Sequence, residues 1–224
     1  MQPKNLRPPF SRGSEQALLQ DQVLYVPERL SEYPPFFSSW AELFGNERPL
    51  SVEFCSGNGD WVVGQAARHP ERNWVAVERR FDRVRKIWAK RENRGIQNLL
   101  IVSGEGVLSS SKYFIGGSVE RVYVNFPDPW PKTRHAKHRI VGGPFLREAR
   151  RILAPSGELV VVTDDPGHRD WALRQLALAG FGPVGPPFTT EWEGYGDSWF
   201  ERLWRGEGRS IYYLRYTSSL ATVS

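Results

Sequence analysis

From residue 49 onward, short apolar runs alternate with stretches whose apolar residues recur every three or four positions. The runs PLSVEFC (49–55), NWVAVE (73–78), NLLIVSGE (98–105), VERVYVNF (119–126) and ELVVVTD (158–164) predict strands. Between them, DWVVGQAARH (60–69), FDRVRKIWAKRENRG (81–95), GVLSSSKYF (106–114), PFLREARRILAPSG (144–157) and HRDWALRQLALAG (168–180) predict helices. In the fourth of these, Phe145, Leu146, Ala149, Ile152 and Leu153 fall at helical spacing, and Pro155 and Gly157 are expected to end it. SIYYLRY (210–216) predicts a last strand. Strand and helix in alternation predict an α/β fold around a parallel sheet.

Residues 1–48 show no such period, and clusters such as EYPPFFSSW predict an arm leading into a short helix near Trp40 to Phe44. The expected organisation is therefore an N-terminal arm and short helix over 1–48, one α/β domain over 49–216, and a polar, flexible tail over 217–224. At 224 residues with 40% hydrophobic content the chain can bury a single substantial core. No stretch approaches the roughly 20 apolar residues of a membrane span, so no membrane association is expected. The single cysteine, Cys55, excludes an internal disulfide framework and is expected to be a small buried residue in a reducing, cytoplasmic setting. One Cys and four scattered His give no metal-ligand spacing.

The net charge is only +5, but the distribution is uneven: residues 79–94 hold eight basic and two acidic residues, and residues 121–151 hold eight and two again. Such clustering favours a polyanionic partner. On the helix at 81–95, Phe81, Val84 and Trp88 form the expected buried stripe, leaving Arg83, Lys86 and Lys90 pointing outward toward nucleic-acid backbone. Trp192, Trp199 and Trp204 are read as packing residues, in the core or at a dimer contact, ahead of base stacking.

In an open α/β sheet, ligands lie beyond the carboxyl ends of the parallel strands, where loops and helix N-termini converge. Each predicted strand ends near an acid: Glu53, Glu78, Glu105, Asp128 and Asp164. Gly57 and Gly59 form a G-x-G turn that opens a helix and lets a ligand approach bare backbone. Val62 stands where a dinucleotide fingerprint carries its third glycine, and Glu53 four residues before Gly57 would repel a pyrophosphate. A carboxylate there suits a cofactor with an ammonium and a sulfonium, which moves the inference from NAD to S-adenosylmethionine. Glu78 fits the hydroxyls of an adenosine ribose, and Glu105 either the adenine amino group or ordinary turn chemistry.

VNFPDPWPKTRHAKHR (124–139) is the most distinctive stretch. Pro127, Pro129 and Pro131 stiffen the segment after the fourth strand and present Asp128 at fixed geometry. Lys132, Arg134, Lys137 and Arg139 follow as phosphate contacts, whereas His135 and His138 read as solvated.

VEFCSGNG, VAVE and above all VNFPDPWPKTRHAKHRIV resemble the bacterial tRNA (guanine-N7)-methyltransferases of the TrmB type, from about Ser51 to Tyr216. The resemblance implies a class I S-adenosylmethionine-dependent methyltransferase (Rossmann-like) fold, mostly parallel with an antiparallel last strand. It implies S-adenosyl-L-methionine as methyl donor, tRNA as partner, and N7 of the variable-loop guanosine (position 46) as acceptor, in a monomer or homodimer. By motif position it places Glu53, Gly57, Gly59, Glu78, Glu105 and Asp128 at the cofactor, with Asp128 also catalytic. Lys132, Asp164, and Thr190 and Glu193 of a T-x-x-E motif would face the substrate. Two residues depart from the family pattern: Cys55 stands for a usual glycine and Glu105 for a usual aspartate. The segment 195–208 is also longer than is typical. The Cys55 and Glu105 departures support an alternative, a non-catalytic tRNA-binding protein with a decayed cofactor pocket; the missing third glycine and the abundance of edge carboxylates speak against a third reading, an NAD-linked oxidoreductase.

Overall fold

The N-terminal region, which shows no period, supplies two strands. β1 (Leu18–Gln20) and β2 (Val23–Tyr25) form an antiparallel hairpin whose turn residues Asp21 and Gln22 both take positive φ, matching the right-handed twist of the strands. Three-residue strands leave too little alternation to be read from sequence. The computed structural model describes residues 1–9, 15–29, 37–128, 130, 139–196 and 198–218. They divide into two compact units, Met1–Ile115 and Gly116–Ser224.

In the first unit, α1 (Trp40–Phe44) precedes β3 (Leu50–Phe54), α2 (Asp60–Arg68), β4 (Asn73–Glu78), α3 (Phe81–Asn93), β5 (Leu99–Ser103) and α4 (Gly106–Tyr113). The strand order is β1-β2-β5-β4-β3, with β2, β5, β4 and β3 parallel. All six residues of β4 are buried, including Asn73 and Glu78, as expected of a central parallel strand covered on both faces. Val84, Ile87 and Trp88 of α3 are buried, and Trp61 of α2 meets Trp74 of β4 edge-on at 5.8 Å. α1 is anchored through Trp40, which packs against Phe37 and Phe114.

In the second unit, β6 (Val119–Asn125), α5 (Gly143–Ile152), β7 (Leu153–Thr163), α6 (Pro166–Leu178), β8 (Gly182–Pro183), α7 (Trp199–Gly206) and β9 (Tyr212–Thr217) follow in order. β6 and β7 are parallel, while β9 runs antiparallel to β7 and β8 antiparallel to β9. The expected mostly parallel α/β architecture with an antiparallel last strand is present. The chain leaves α5 at Ile152 and enters β7 at once, so Pro155 and Gly157 lie inside the strand instead of ending the helix. The register shifts between Val119 and Arg121 to accommodate this. A Cβ at Gly157 would come within 3.0 Å of the carbonyls of Ala154 and Glu120, which explains the glycine there.

Among the described residues no helix is long and apolar enough to cross a membrane, and no cluster of His, Cys, Asp or Glu is arranged to hold a metal.

Candidate active site

At the carboxyl ends of β3, β4 and β5, the loops are stitched to one another by backbone and carboxylate. The Ser56 N–H donates to the Val77 carbonyl, and the Gly104 N–H to the Glu78 carbonyl. Glu78 is 5% exposed, and its carboxylate accepts from the Gly57 N–H at 2.9 Å and the Arg80 N–H at 2.8 Å. Arg83 lies 3.9 Å from the same carboxylate. Glu53, on the last turn of pleat in β3, is buried as well. The G-x-G turn is therefore held by an acid 21 residues later, a link that spacing alone does not reveal.

The two glycines do different jobs. Gly59 at φ +76 lets α2 start against α3, since a Cβ there would meet Ile87 Cγ1 at 2.7 Å. Gly57 at φ +56 faces open space: a Cβ would find nothing nearer than the Cys55 carbonyl at 3.9 Å. Bare backbone beside buried carboxylates is the chemistry a cationic, hydroxyl-bearing nucleoside requires, and S-adenosylmethionine fits it. Cys55 itself takes φ +58, the conformation glycine favours, which gives a physical reason for the family's glycine at this position. The thiol is exposed, not buried as expected, because the left-handed turn swings it away from the core.

Glu105 serves a structural purpose that needs no ligand: its carboxylate accepts the Leu108 N–H at 2.7 Å and caps α4. The outward basic face expected on α3 is only partly realised. Lys86 is exposed, but Lys90 donates to the Asn58 carbonyl at 2.9 Å and pairs with Asp60 at 2.6 Å. Its long stem bends back and braces the glycine turn.

In the second unit, the Phe126 N–H continues the β6 ladder to the Val162 carbonyl, and then the backbone breaks into the left-handed region at Phe126 (φ +45) and Trp130 (φ +42). Positive φ at two aromatic residues flanking Asp128 is the kind of strain that persists where a loop has a job beyond folding. Asp128 is exposed. Lys132, with Arg134, His135, Lys137 and His138, lies outside the described residues. Asp164 is held by Arg209 at 2.7 Å, and that guanidinium lies 4.0 Å over the Trp204 ring. Thr190 and Glu193 are exposed, and the Thr190 carbonyl accepts from Arg205 at 3.0 Å.

Below this edge, in the first turn of α6, His168 is 1% exposed and neither ring nitrogen has a hydrogen-bond partner among the described residues. Burial, reinforced by Arg139 and opposed by Asp165 and Asp164, pushes its pKa down to about 4. Arg139 also stacks 4.8 Å over Trp171 and donates to the Trp130 carbonyl at 3.0 Å, which links α6 to the loop of Asp128. Of the tryptophans read as packing residues, Trp192 and Trp204 are half-buried, but Trp199 is 48% exposed beside Phe200 at 39%.

Comparison with known proteins adds the chemical class. A family model described as "Putative methyltransferase" matches residues 47–181. A tRNA (guanine-N(7)-)-methyltransferase of Chlamydia caviae is 44% identical over 222 residues, 98% of this chain and 99% of the relative. That of Chlamydia felis is 45% identical over 221 residues, with the same coverage. One from Brevibacillus brevis is 36% identical over 159 residues, 68% of this chain and 74% of the relative. Among solved structures, the 16S rRNA methyltransferase KamB superposes with a TM-score of 0.60 at 19% identity, covering 84% of this chain and 97% of that one. The antibiotic-resistance methyltransferase Kmr gives 0.56 at 22%, covering 81% and 92%. At these identities the superpositions speak for the fold alone.

Proposed function

Because the chain belongs to the tRNA (guanine-N(7)-)-methyltransferases, we propose that it transfers the methyl group of S-adenosylmethionine to N7 of a guanosine in tRNA, and that this guanosine is the variable-loop residue at position 46. The observation that carries the reading is identity of 44% over nearly the full length of both chains. The alternative of a tRNA-binding protein with a decayed pocket finds no support in these relatives. Its two motives have ordinary explanations: Cys55 adopts the φ of the glycine it replaces, and Glu105 caps α4.

Glu53, Glu78 and the Gly57 turn would hold the cofactor, the acids by charge and by hydrogen bonds to hydroxyls, the turn by close backbone approach. Glu105 reaches it only with the oxygen that α4 leaves free. Bound there, S-adenosylmethionine supplies a methyl group on a sulfonium. Guanine N7 carries an in-plane lone pair and no proton, so the protein has no base to provide and catalysis reduces to positioning and electrostatics. The Asp128 carboxylate is suited to accept from the N1–H and N2–H edge of guanine and to offset the positive charge that develops on the ring. Arg209 orders Asp164 on the same unit, and Lys132, Arg134 and Lys137 would contact phosphate. A cytoplasmic setting accords with a tRNA substrate.

The test is methyl transfer from labelled S-adenosylmethionine to unmodified tRNA, mapped by cleavage specific for 7-methylguanosine. Label at one variable-loop guanosine is expected. Binding of tRNA without transfer would return the decayed-pocket reading.

A further inference from the structure

α7 is held to its unit in an unusual way. None of its residues is buried. It is fastened by polar contacts: the Tyr213 hydroxyl donates to Glu201 at 2.5 Å, and Arg205 donates to Glu201 at 3.2 Å, to the Tyr213 hydroxyl at 3.3 Å and to the Thr190 carbonyl at 3.0 Å. Burial and the Glu201 carboxylate push the Tyr213 hydroxyl pKa up, which keeps it a donor. The buried Ser198 caps the helix through the Glu201 N–H. The aromatic pair in the first turn takes no part in these polar contacts.

That pair is open. Trp199 and Phe200 are 48% and 39% exposed and meet edge-to-face at 4.9 Å. Phe200 in turn lies 5.8 Å from Phe126, tilted by 34°. Phe126 takes φ +45 here, a conformation that a side-chain-bearing residue rarely adopts. Two residues later comes Asp128, and the sequence beyond carries Lys132, Arg134 and Lys137 with no acid among them. Exposed aromatic faces, on a chain whose sequence runs on from Asp128 into cations, match the pattern by which single-stranded nucleic acid is held, rings against bases and cations against phosphate.

We propose that Phe126, Trp199 and Phe200 form a stacking surface for the guanine that is methylated, once it is extruded from the tRNA fold. The inference rests on the tRNA reading above and deepens it. Attack by N7 uses a lone pair in the plane of the ring, so both faces of the base remain available to be gripped while its edge reacts. Extruding a base gives up its stacking in the RNA, and stacking on protein rings offsets that loss. The product base is a cation, so its attraction to an aromatic face grows as the methyl group transfers. The surface therefore acts on turnover as well as on binding.

Trp199→Leu with Phe200→Leu keeps apolar bulk but removes the π faces, whereas Trp199→Phe with Phe200→Tyr keeps them. The double leucine variant is expected to lose about 10-fold or more in kcat/KM for tRNA, with part of the loss in kcat. Its affinity for S-adenosylmethionine, its thermal midpoint and its mass in sedimentation should stay those of the wild type, and the aromatic double variant should retain most activity. Leucine variants as active as an active wild type overturn the inference alone, as does a change in sedimenting mass, which would make the patch a contact between copies. A wild type that transfers nothing to tRNA overturns the functional reading and this inference with it.

Discussion

At the strand ends of the first unit, the polar groups are bound to one another. Glu78 holds Gly57 and Arg80, Lys90 holds Asn58 and Asp60, and Glu105 caps α4. At the strand ends of the second unit, Asp128, Trp130, Trp199 and Phe200 are exposed, and Asp164 is drawn aside by Arg209. On the proposed roles, the difference follows from what each edge would bind. A small cofactor repays a preformed site, because every group already ordered lowers the entropy lost on binding. A tRNA brings its own large rigid surface, and a base that must leave its stack needs open faces to land on. Both edges share one device, a non-glycine residue forced to positive φ, Cys55 in the first and Phe126 in the second.

The comparison breaks most sharply at Asp128. Asp128→Ala should lower turnover at saturating tRNA by about 10²-fold, the scale of removing one preorganised electrostatic group, while the thermal midpoint stays put because the side chain is exposed. Near-normal turnover would leave the second edge a binding surface only. The next largest effect lies at the first edge. Glu78→Ala frees the Gly57 and Arg80 amides, each bonded to a charged acceptor worth about 1.5–3 kcal/mol. Calorimetry should show affinity for S-adenosylmethionine weakened about 10- to 100-fold, with affinity for tRNA intact. Equal weakening of both ligands would mean that the two edges are not specialised as described.

These predictions touch residues of very different legibility. Glu53, Glu78, Glu105, Asp128 and Asp164 could be placed at strand ends because β3 to β7 are nearly continuous apolar runs with helices between them, and topology does the rest. β1, β2 and β8 run three, three and two residues, too short for any period to register. Contacts between distant positions were equally hidden: nothing in the spacing of Gly57 and Glu78, or of Asn58 and Lys90, marks them as partners. Lys90 reads as an outward cation because its position on α3 is outward, yet a four-carbon stem lets the ammonium reach the nearest acceptors. α7 shows an amphipathic order of residues, but what secures it is the Tyr213 hydroxyl on another element.

Third in size is a pH effect confined to the second unit. His168 is pushed from about 6.5 to about 4 on folding, so between those values the unfolded chain binds the proton and the folded one does not. Its contribution is present above pH 6.5 and is lost as pH falls toward 4, by about 2 kcal/mol between pH 7 and pH 5. Urea titrations at the two pH values should show that loss, and His168→Leu, which fills similar volume without a titrating ring, should reduce it. An unchanged pH dependence in the variant would assign the loss to other groups.

The smallest effect separates the two strained positions. The left-handed conformation costs a non-glycine residue about 1–2 kcal/mol, and glycine avoids that cost but raises the entropy of the unfolded chain by about 0.4–1 kcal/mol. The thiol of Cys55 is exposed, so the balance for Cys55→Gly is a gain of roughly 0.5–1 kcal/mol, or about 1–4 °C in thermal midpoint for a chain of this length. Cys55→Ala keeps the strain while removing the thiol, and should show no such gain. Phe126→Gly relieves the same kind of strain, but it removes a ring that meets Phe200, so any stability recovered there should come with lower activity on tRNA. If Cys55→Gly loses activity as Phe126→Gly does, the strain at the first edge also serves the reaction, and the contrast between an edge built for closeness of backbone and one built for display of side chains fails at the point where the two are most alike.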